Sequence, residues 1–350
     1  MKKFLGITLA LVLIFALAAC GGAPAASTAP AASTGAAASE GTDAPAGGND
    51  GTLRVGLLLP GTINDHGWNA VAYDGLMLIQ DKLGAEVEFS EKVAFSDFEE
   101  VFRQYAADGY DMVIGHGYEF GEAAMAVAPD FPDTFFCITS TDIVQAPNLF
   151  SLMNLNNQQG FLAGVVAALE TESKIVGCVG GMEIPSITLF VEGFKQGVAY
   201  VDSSIECLTA YTGDFDDVAK AKEMALAMIQ QGADIVTHDA DQAGLGIFEA
   251  VQESDGVLAI GAVGDQYEQA PDHIITSATN NLSEAILLAA EYLQQGTLEA
   301  VCYQFGVKEG VVDIADFRDY PISDENKAFI DDVKAKIASG EIVVDDTFAG

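Results

Sequence analysis

The sequence predicts an α/β protein built as two doubly wound parallel-sheet lobes. Three observations carry this. From residue 53 onward, short apolar runs alternate with stretches whose apolar residues recur at helical spacing. Runs such as Met112-Val113-Ile114 and Ile175-Val176-Gly177-Cys178-Val179 lack polar alternation, as strands buried on both faces do. The pattern is too long for one ordinary sheet, and it restarts at about residue 174.

The elements follow in order. Strands are expected at 53–60, 85–93, 111–116, 134–140 and 148–155, with helices at 69–83, 96–108 and 121–128 between them. Asp108-Gly109 and the segment from Pro129 to Pro132 supply breaks. The second set has strands at 174–180, 205–211, 233–238 and 257–263, with helices at 186–201, 217–231 and 244–254. A shorter third set follows: strand 273–278, helix 282–295, strands 302–307 and 311–314, and a final helix 324–338.

The stretch Asn64-Asp65-His66-Gly67-Trp68-Asn69 joins the first strand to the first helix. In open α/β sheets ligands bind at such strand ends, where a crevice opens and a helix start offers free N–H groups. The only tryptophan of the chain lies there among two amides, a carboxylate and an imidazole. That set suits a flat polar molecule. It equally describes a helix cap with Trp68 folded onto the core.

The 350 residues carry a formal charge of -37, which repels nucleic acid, and no basic patch is present. Lys2 and Lys3 precede an apolar run from Phe4 to Ala19, too short for a membrane span and suited to export. The run ends in Leu17-Ala18-Ala19-Cys20-Gly21, which looks like a bacterial lipobox with Cys20 as the lipidated residue. Residues 1–20 are therefore read as a lipoprotein signal peptide and 21–51 as a disordered tether of Ala, Ser, Thr, Gly and Pro. Such a protein sits on the outer face of the cell membrane. The remaining cysteines, Cys137, Cys178, Cys207 and Cys302, read as buried thiols, with a Cys178–Cys207 pairing left open.

Several polar clusters end predicted strands: Gly115-His116-Gly117, Gly180-Gly181-Met182, Gly213-Asp214, His238-Asp239-Ala240-Asp241 and Gly264-Asp265-Gln266. Carboxylates there can take sugar hydroxyls or cap helices. Gly115 to Gly121 is spaced one residue longer than the dinucleotide fingerprint, so no nucleotide cofactor is expected. His66, His116 and His238 lack partners at zinc spacing, so no metal is expected. No nucleophile elbow, P-loop or catalytic triad is visible, and the chain is not expected to be an enzyme.

Taken together, these motifs resemble the basic membrane protein family of ABC-transporter substrate-binding lipoproteins, several of which bind purine nucleosides. The matching pieces are Asn64-Asp65-x-x-Trp68-Asn69 with Gly75; Gly115-His116-Gly117-Tyr118; Asn148 with Gly160-Phe161-Leu162-Ala163-Gly164; Val179-Gly180-Gly181 with Phe190 and Gly193-Phe194; Asp234 with Gly244-Leu245-Gly246; and Asp265-Gln266 with Thr276-Ser277. The resemblance implies a type I periplasmic-binding-protein fold, with lobes of 52–154 plus 275–303 and 155–274 plus 304–350. Three hinge crossings near 155, 274 and 303 would join them.

By the same resemblance Trp68 stacks on a base, Phe190 stacks from the other side, and Asn64, Asp65 and Asn69 line the first lobe. Asp265 takes sugar hydroxyls. From their places at strand ends, His116, Asp214 and Asn280 are added as expected ligand contacts. Asn280 stands where the family often has a lysine, Ala240-Asp241-Gln242 replaces a glycine-rich turn, and Asp142 lies out of register with a family carboxylate. The implied role is capture of a purine nucleoside or related planar heterocycle for an ABC permease, by a monomer. A ligand-sensing module for a membrane receptor and a surface nucleoside hydrolase using Asp65 or Asp265 stay open.

Overall fold

The computed structural model describes residues 51–64 and 68–347. The expected signal peptide with Cys20, residues 21–50 of the expected tether, and Asp65 lie outside them. The first half of the chain runs β1 (Arg54–Leu58), α1 (Trp68–Leu83), β2 (Glu86–Ser90), α2 (Phe98–Ala107), β3 (Met112–Gly115), α3 (Gly121–Val127), β4 (Phe135–Thr139), β5 (Leu149–Asn154) and α4 (Asn156–Glu170). Then come β6 (Ile175–Gly180), α5 (Pro185–Val201), β7 (Glu206–Tyr211), α6 (Val218–Gln230), β8 (Ile235–Asp239), α7 (Leu245–Gln252) and β9 (Leu258–Val263). The chain closes with β10 (Ile274–Asn280), α8 (Leu282–Gln294), β11 (Cys302–Phe305), β12 (Val312–Ile314) and α9 (Asp324–Ser339).

Two six-stranded sheets result, in the orders β11-β5-β4-β3-β1-β2 and β12-β10-β9-β8-β6-β7. Every pairing among these strands is parallel except that of β12 with β10. Both faces of each sheet are covered. Val55 and Leu57 of β1 pack under α1 and α8, whereas Leu58 joins the Phe102 and Phe120 cluster beneath α2 and α3. That double burial is why the strands read as unbroken apolar runs.

The helices obey local rules. Pro185 opens α5, where a missing N–H costs nothing. Ser323 caps α9 by accepting from the Asn326 N–H at 3.0 Å, with Asp324 and Glu325 in the first turn. Gly340 ends α9 in the left-handed conformation.

α4 is a helix that periodicity misses. It is buried on nearly every side, so it has no polar stripe. It lies parallel to α5, with backbone against backbone. A Cβ at Gly160 would stand 1.9 Å from the Phe190 carbonyl oxygen, and one at Gly193 would stand 2.1 Å from that of Asn157. Gly164 and Gly197 repeat the contact one turn on.

The crossings differ from expectation at one point. Ile274–Asn280 enters the second sheet, between β9 and β12, so the chain returns to the first lobe at Asn281 rather than near 274. α8 then lies on α1, with Gly75 admitting Ser283. The other crossings fall at Leu155 and at 306–311. Amides bind the three together. Asn154 Nδ2 donates to Asn280 Oδ1, and Asn280 Nδ2 donates to Asn156 Oδ1 at 3.2 Å. Gln158 Oε1 accepts from the Val307 N–H at 2.9 Å, and the Asn281 N–H donates to Val311 O at 2.6 Å. The carboxyl ends of β5 and β10 thus meet here, and both sheets turn their carboxyl ends toward the junction.

All four described cysteines are free thiols. Cys178 pairs in register with Thr209 and Cys207 with Val176, which sets the two sulfurs two residues apart along neighbouring strands.

Candidate functional site

The carboxyl ends of the strands form the candidate site, and three residues with strained backbone mark them. Ser140 (φ 59°) follows β4, Asp241 (φ 47°) follows β8 and Val263 (φ 68°) ends β9. A β-branched residue in the left-handed region carries real strain, and such positions gather at functional sites.

In the first lobe, the loop after β1 is pinned by Asn69, whose Oδ1 accepts from the Gly61 N–H at 3.1 Å. Asn64 is exposed on that loop, and its N–H donates to Thr62 Oγ1 at 3.0 Å. Trp68 opens α1 half-buried, and its ring stacks on His116 with centroids 4.1 Å apart. His116 is fully enclosed. Its Nε2 lies 2.9 Å from the Trp68 carbonyl oxygen, which only accepts, so Nε2 carries the proton. Its Nδ1 accepts from Thr139 Oγ1 at 3.0 Å, and that hydroxyl oxygen in turn accepts from the Gly117 N–H at 2.9 Å. The imidazole thus ties the ends of β3 and β4 to the start of α1 and backs the indole. Expected as a ligand contact, it instead supports Trp68 from behind.

In the second lobe, β8 ends in His238 and Asp239. Burial pushes the His238 imidazole down to about 4. Its Nε2–H donates to Gln266 Oε1 at 3.0 Å, an oxygen that also accepts from the Ala262 N–H. Its ring rests on Gly244, where any Cβ would collide with it. Asp239 occupies the opposite face of the strand, and burial, then the neighbouring Asp241, push its carboxyl up to about 7. This residue was visible within the His238 to Asp241 run but not singled out, because periodicity says nothing about how deeply a strand end is covered.

Four expected contacts have partners within the protein. Phe190 is fully enclosed in the core of the second lobe, where α5 meets α4, and has no face left for a base. Asp214 is a turn former, its Oδ1 accepting from the N–H groups of Asp216 (2.6 Å) and Asp217 (3.0 Å). Asn280 belongs to the crossing lattice described above. Asp265 is already engaged: it pairs with Arg318 and accepts from the Tyr267 N–H at 3.2 Å, while the Arg318 guanidinium lies 4.8 Å over the Tyr267 ring. The structure therefore brings together Trp68, Asn69 and His116 on one side, and adds Asp239 on the other.

Two sheets with facing carboxyl ends, joined by three amide-bound crossings, define a hinged solute-binding protein of the type I periplasmic-binding fold. More narrowly, the chain belongs to the Bmp family, described as ABC transporter substrate-binding protein PnrA-like, which it matches over residues 52–347. It is 31% identical over 274 residues to "Transcriptional activator protein med" of Bacillus subtilis, covering 78% of this chain and 84% of that one. It is 31% identical over 308 residues to "Basic membrane protein B" of Borrelia garinii subsp. bavariensis, covering 83% and 87%. Among solved structures, a transcriptional activator of the comK gene from Bacillus halodurans superposes with a TM-score of 0.75 at 26% identity, covering 83% of this chain and 99% of that one. An ABC transporter solute-binding protein from Conexibacter woesei gives 0.71 at 26% identity, covering 84% and 99%. Among the described residues no helix is long and apolar enough to cross a membrane.

Proposed function

We propose that this chain captures a purine nucleoside or a related planar heterocycle between its lobes and delivers it to an ABC permease. It acts as a monomer, without covalent chemistry, held at the membrane by a lipid on Cys20 and by residues 21–51 as a tether. The observation that supports this reading is the indole of Trp68, half-buried at a strand end and backed by the enclosed His116. A ring fixed from behind loses little freedom when a flat ligand covers its other face. Asn64, Asn69 and, from its place in the sequence, Asp65 are proposed to orient the ligand.

Native mass spectrometry of the protein lacking residues 1–51, followed by denaturation, is expected to release a co-purified nucleoside or nucleobase. A titration with nucleosides should change the fluorescence of Trp68, the chain's single tryptophan. Trp68→Ala should then weaken binding by about 1–3 kcal/mol, the range for bases on aromatic platforms. Failure of nucleosides, bases, sugars and amino acids alike to bind would defeat the proposal. Conversion of nucleoside to free base by the purified protein would favour a surface hydrolase instead. A sensing role is the second reading, favoured by the Bacillus subtilis relative being named a transcriptional activator. Stimulation of a reconstituted permease by the loaded protein would exclude it as the sole role.

A further inference from the structure

Asp239 poses a problem that the fold itself does not solve. The residue is only 6% exposed. Other acids of the second lobe are occupied: Asp265 holds Arg318, Asp214 holds two backbone N–H groups, and Asp234, at the far end of β8, accepts from Thr171, Glu172 and Ser173. The Asp239 carboxylate has no such partner among the described residues. Yet its oxygens are not among the sealed side-chain atoms that lack a hydrogen bond. The residue is covered, yet its oxygens, at the carboxyl end of β8, are not wholly sealed. A covered carboxylate without a donor is costly, and such a group calls for a partner from outside.

We propose that Asp239 receives the cargo, and that the cargo presents to it two adjacent N–H donors, as the N1–H and N2–H edge of a guanine-type ring does. This rests on the nucleoside reading above and narrows it. A carboxylate has two acceptors side by side, the complement of two parallel donors. An adenine-type edge offers one donor and one acceptor and fits a carboxylate poorly. The surroundings supply no competing donor. His238 points to the other face, toward Phe248 and Gly244. Asp241 adds negative charge, and the ionisable groups that share the sheet face with Asp239, Cys178 of β6 and Cys207 and Tyr211 of β7, are kept protonated by burial, with the Tyr211 hydroxyl engaged by Thr188. Behind Cys178, Lys195 of α5 is paired with Glu192 at 2.7 Å.

The test is calorimetric titration of the full chain, in detergent, with guanosine and adenosine at pH 8 and pH 5.5. At pH 8 the wild type should prefer guanosine, and that preference should fall about tenfold or more at pH 5.5, where the carboxyl is protonated and has become a donor. Asp239→Asn should weaken guanosine binding about tenfold to a hundredfold. It should turn the preference toward adenosine, since an amide offers one donor and one acceptor. A merely structural role would lower both affinities together. Asp202→Asn, at the amino end of β7 and paired with Lys174, should leave the preference unchanged. Guanosine binding within threefold of wild type in Asp239→Asn would overturn this assignment and leave the nucleoside reading standing. Failure of the wild type to bind either nucleoside would overturn this assignment together with the nucleoside form of the reading on which it rests.

Discussion

Gly160→Val is expected to leave no folded protein under conditions where the wild type is stable, and Gly160→Ala to lower the denaturation midpoint steeply. The atom in the way is a backbone oxygen, that of Phe190, 1.9 Å from where the new Cβ would stand. A flexible side chain could swing aside; a carbonyl in the middle of α5 cannot. The two helices would have to part, and Gly193 against Asn157 shows that the close approach is built from both sides. Parting them opens the core that holds Phe161, Phe190 and Phe194. Overpacking alone costs about 1–3 kcal/mol, and the lost contacts add to it, against a total stability of about 5–15 kcal/mol. Gly264→Ala is the control, since no neighbouring atom lies within 4 Å of its Cβ position. Urea denaturation of both variants decides the matter: equal midpoints for Gly160→Ala and wild type would mean that the helix pair relaxes without cost.

The second large effect runs the other way. Asp239→Asn should stabilise the unliganded protein at pH 8 by about 2–4 kcal/mol and change little at pH 4. Burial, which disfavours the charge, pushes the folded carboxyl up to about 7 from its ordinary value of 3.8. Folding therefore favours the protonated acid. The penalty is absent below pH 4, grows as the pH rises toward 7 and is constant above it. His238 works in the opposite sense. Its folded value of about 4 lies below the ordinary 6.5, so the stability tied to its uncharged ring is full above 6.5 and is lost as the pH falls through 4. Denaturation curves of wild type and Asp239→Asn at pH 4, 6 and 8 separate the two residues. The same gain at all three pH values would show that charge at Asp239 is not the cause. A residue that weakens the empty protein is what a binding site is expected to contain.

Much of the architecture was legible because sheet strands covered on both sides announce themselves. Met112 to Ile114 and Ile175 to Val179 have no polar interruption, and the structure buries them accordingly. α4 was not legible for the same reason. A helix buried all round has no stripe, and Gly160 and Gly164 look like breakers until α5 is seen to need the space. Ile274–Asn280 was readable as a strand but not as a member of the second sheet, since a strand's own pattern does not name its neighbour. At the site, Trp68 and Asn69 stood out by composition and position. Phe190 misled because a helical position does not reveal whether its ring faces a crevice or a partner helix. Asn280 and Asp214 misled because amides and carboxylates at strand ends serve crossings and turns as readily as ligands.

The glycine-to-backbone seam between α4 and α5 also has a mechanical meaning. α4 begins one residue after the crossing at Leu155, and α5 begins at Pro185, beside the loop that ends β6. Helices meshed this closely cannot slide past each other, so the pair behaves as one rigid crank. A 15-residue helix is about 22 Å long, and a tilt of about 5° at one end displaces the other by about 2 Å. Any turn of the second lobe about its crossings is therefore transmitted undiminished from the amide junction to the far side of the core. Torque applied at Asn154, Asn156 and Asn280 moves the mouth of the crevice instead of being dissipated in repacking.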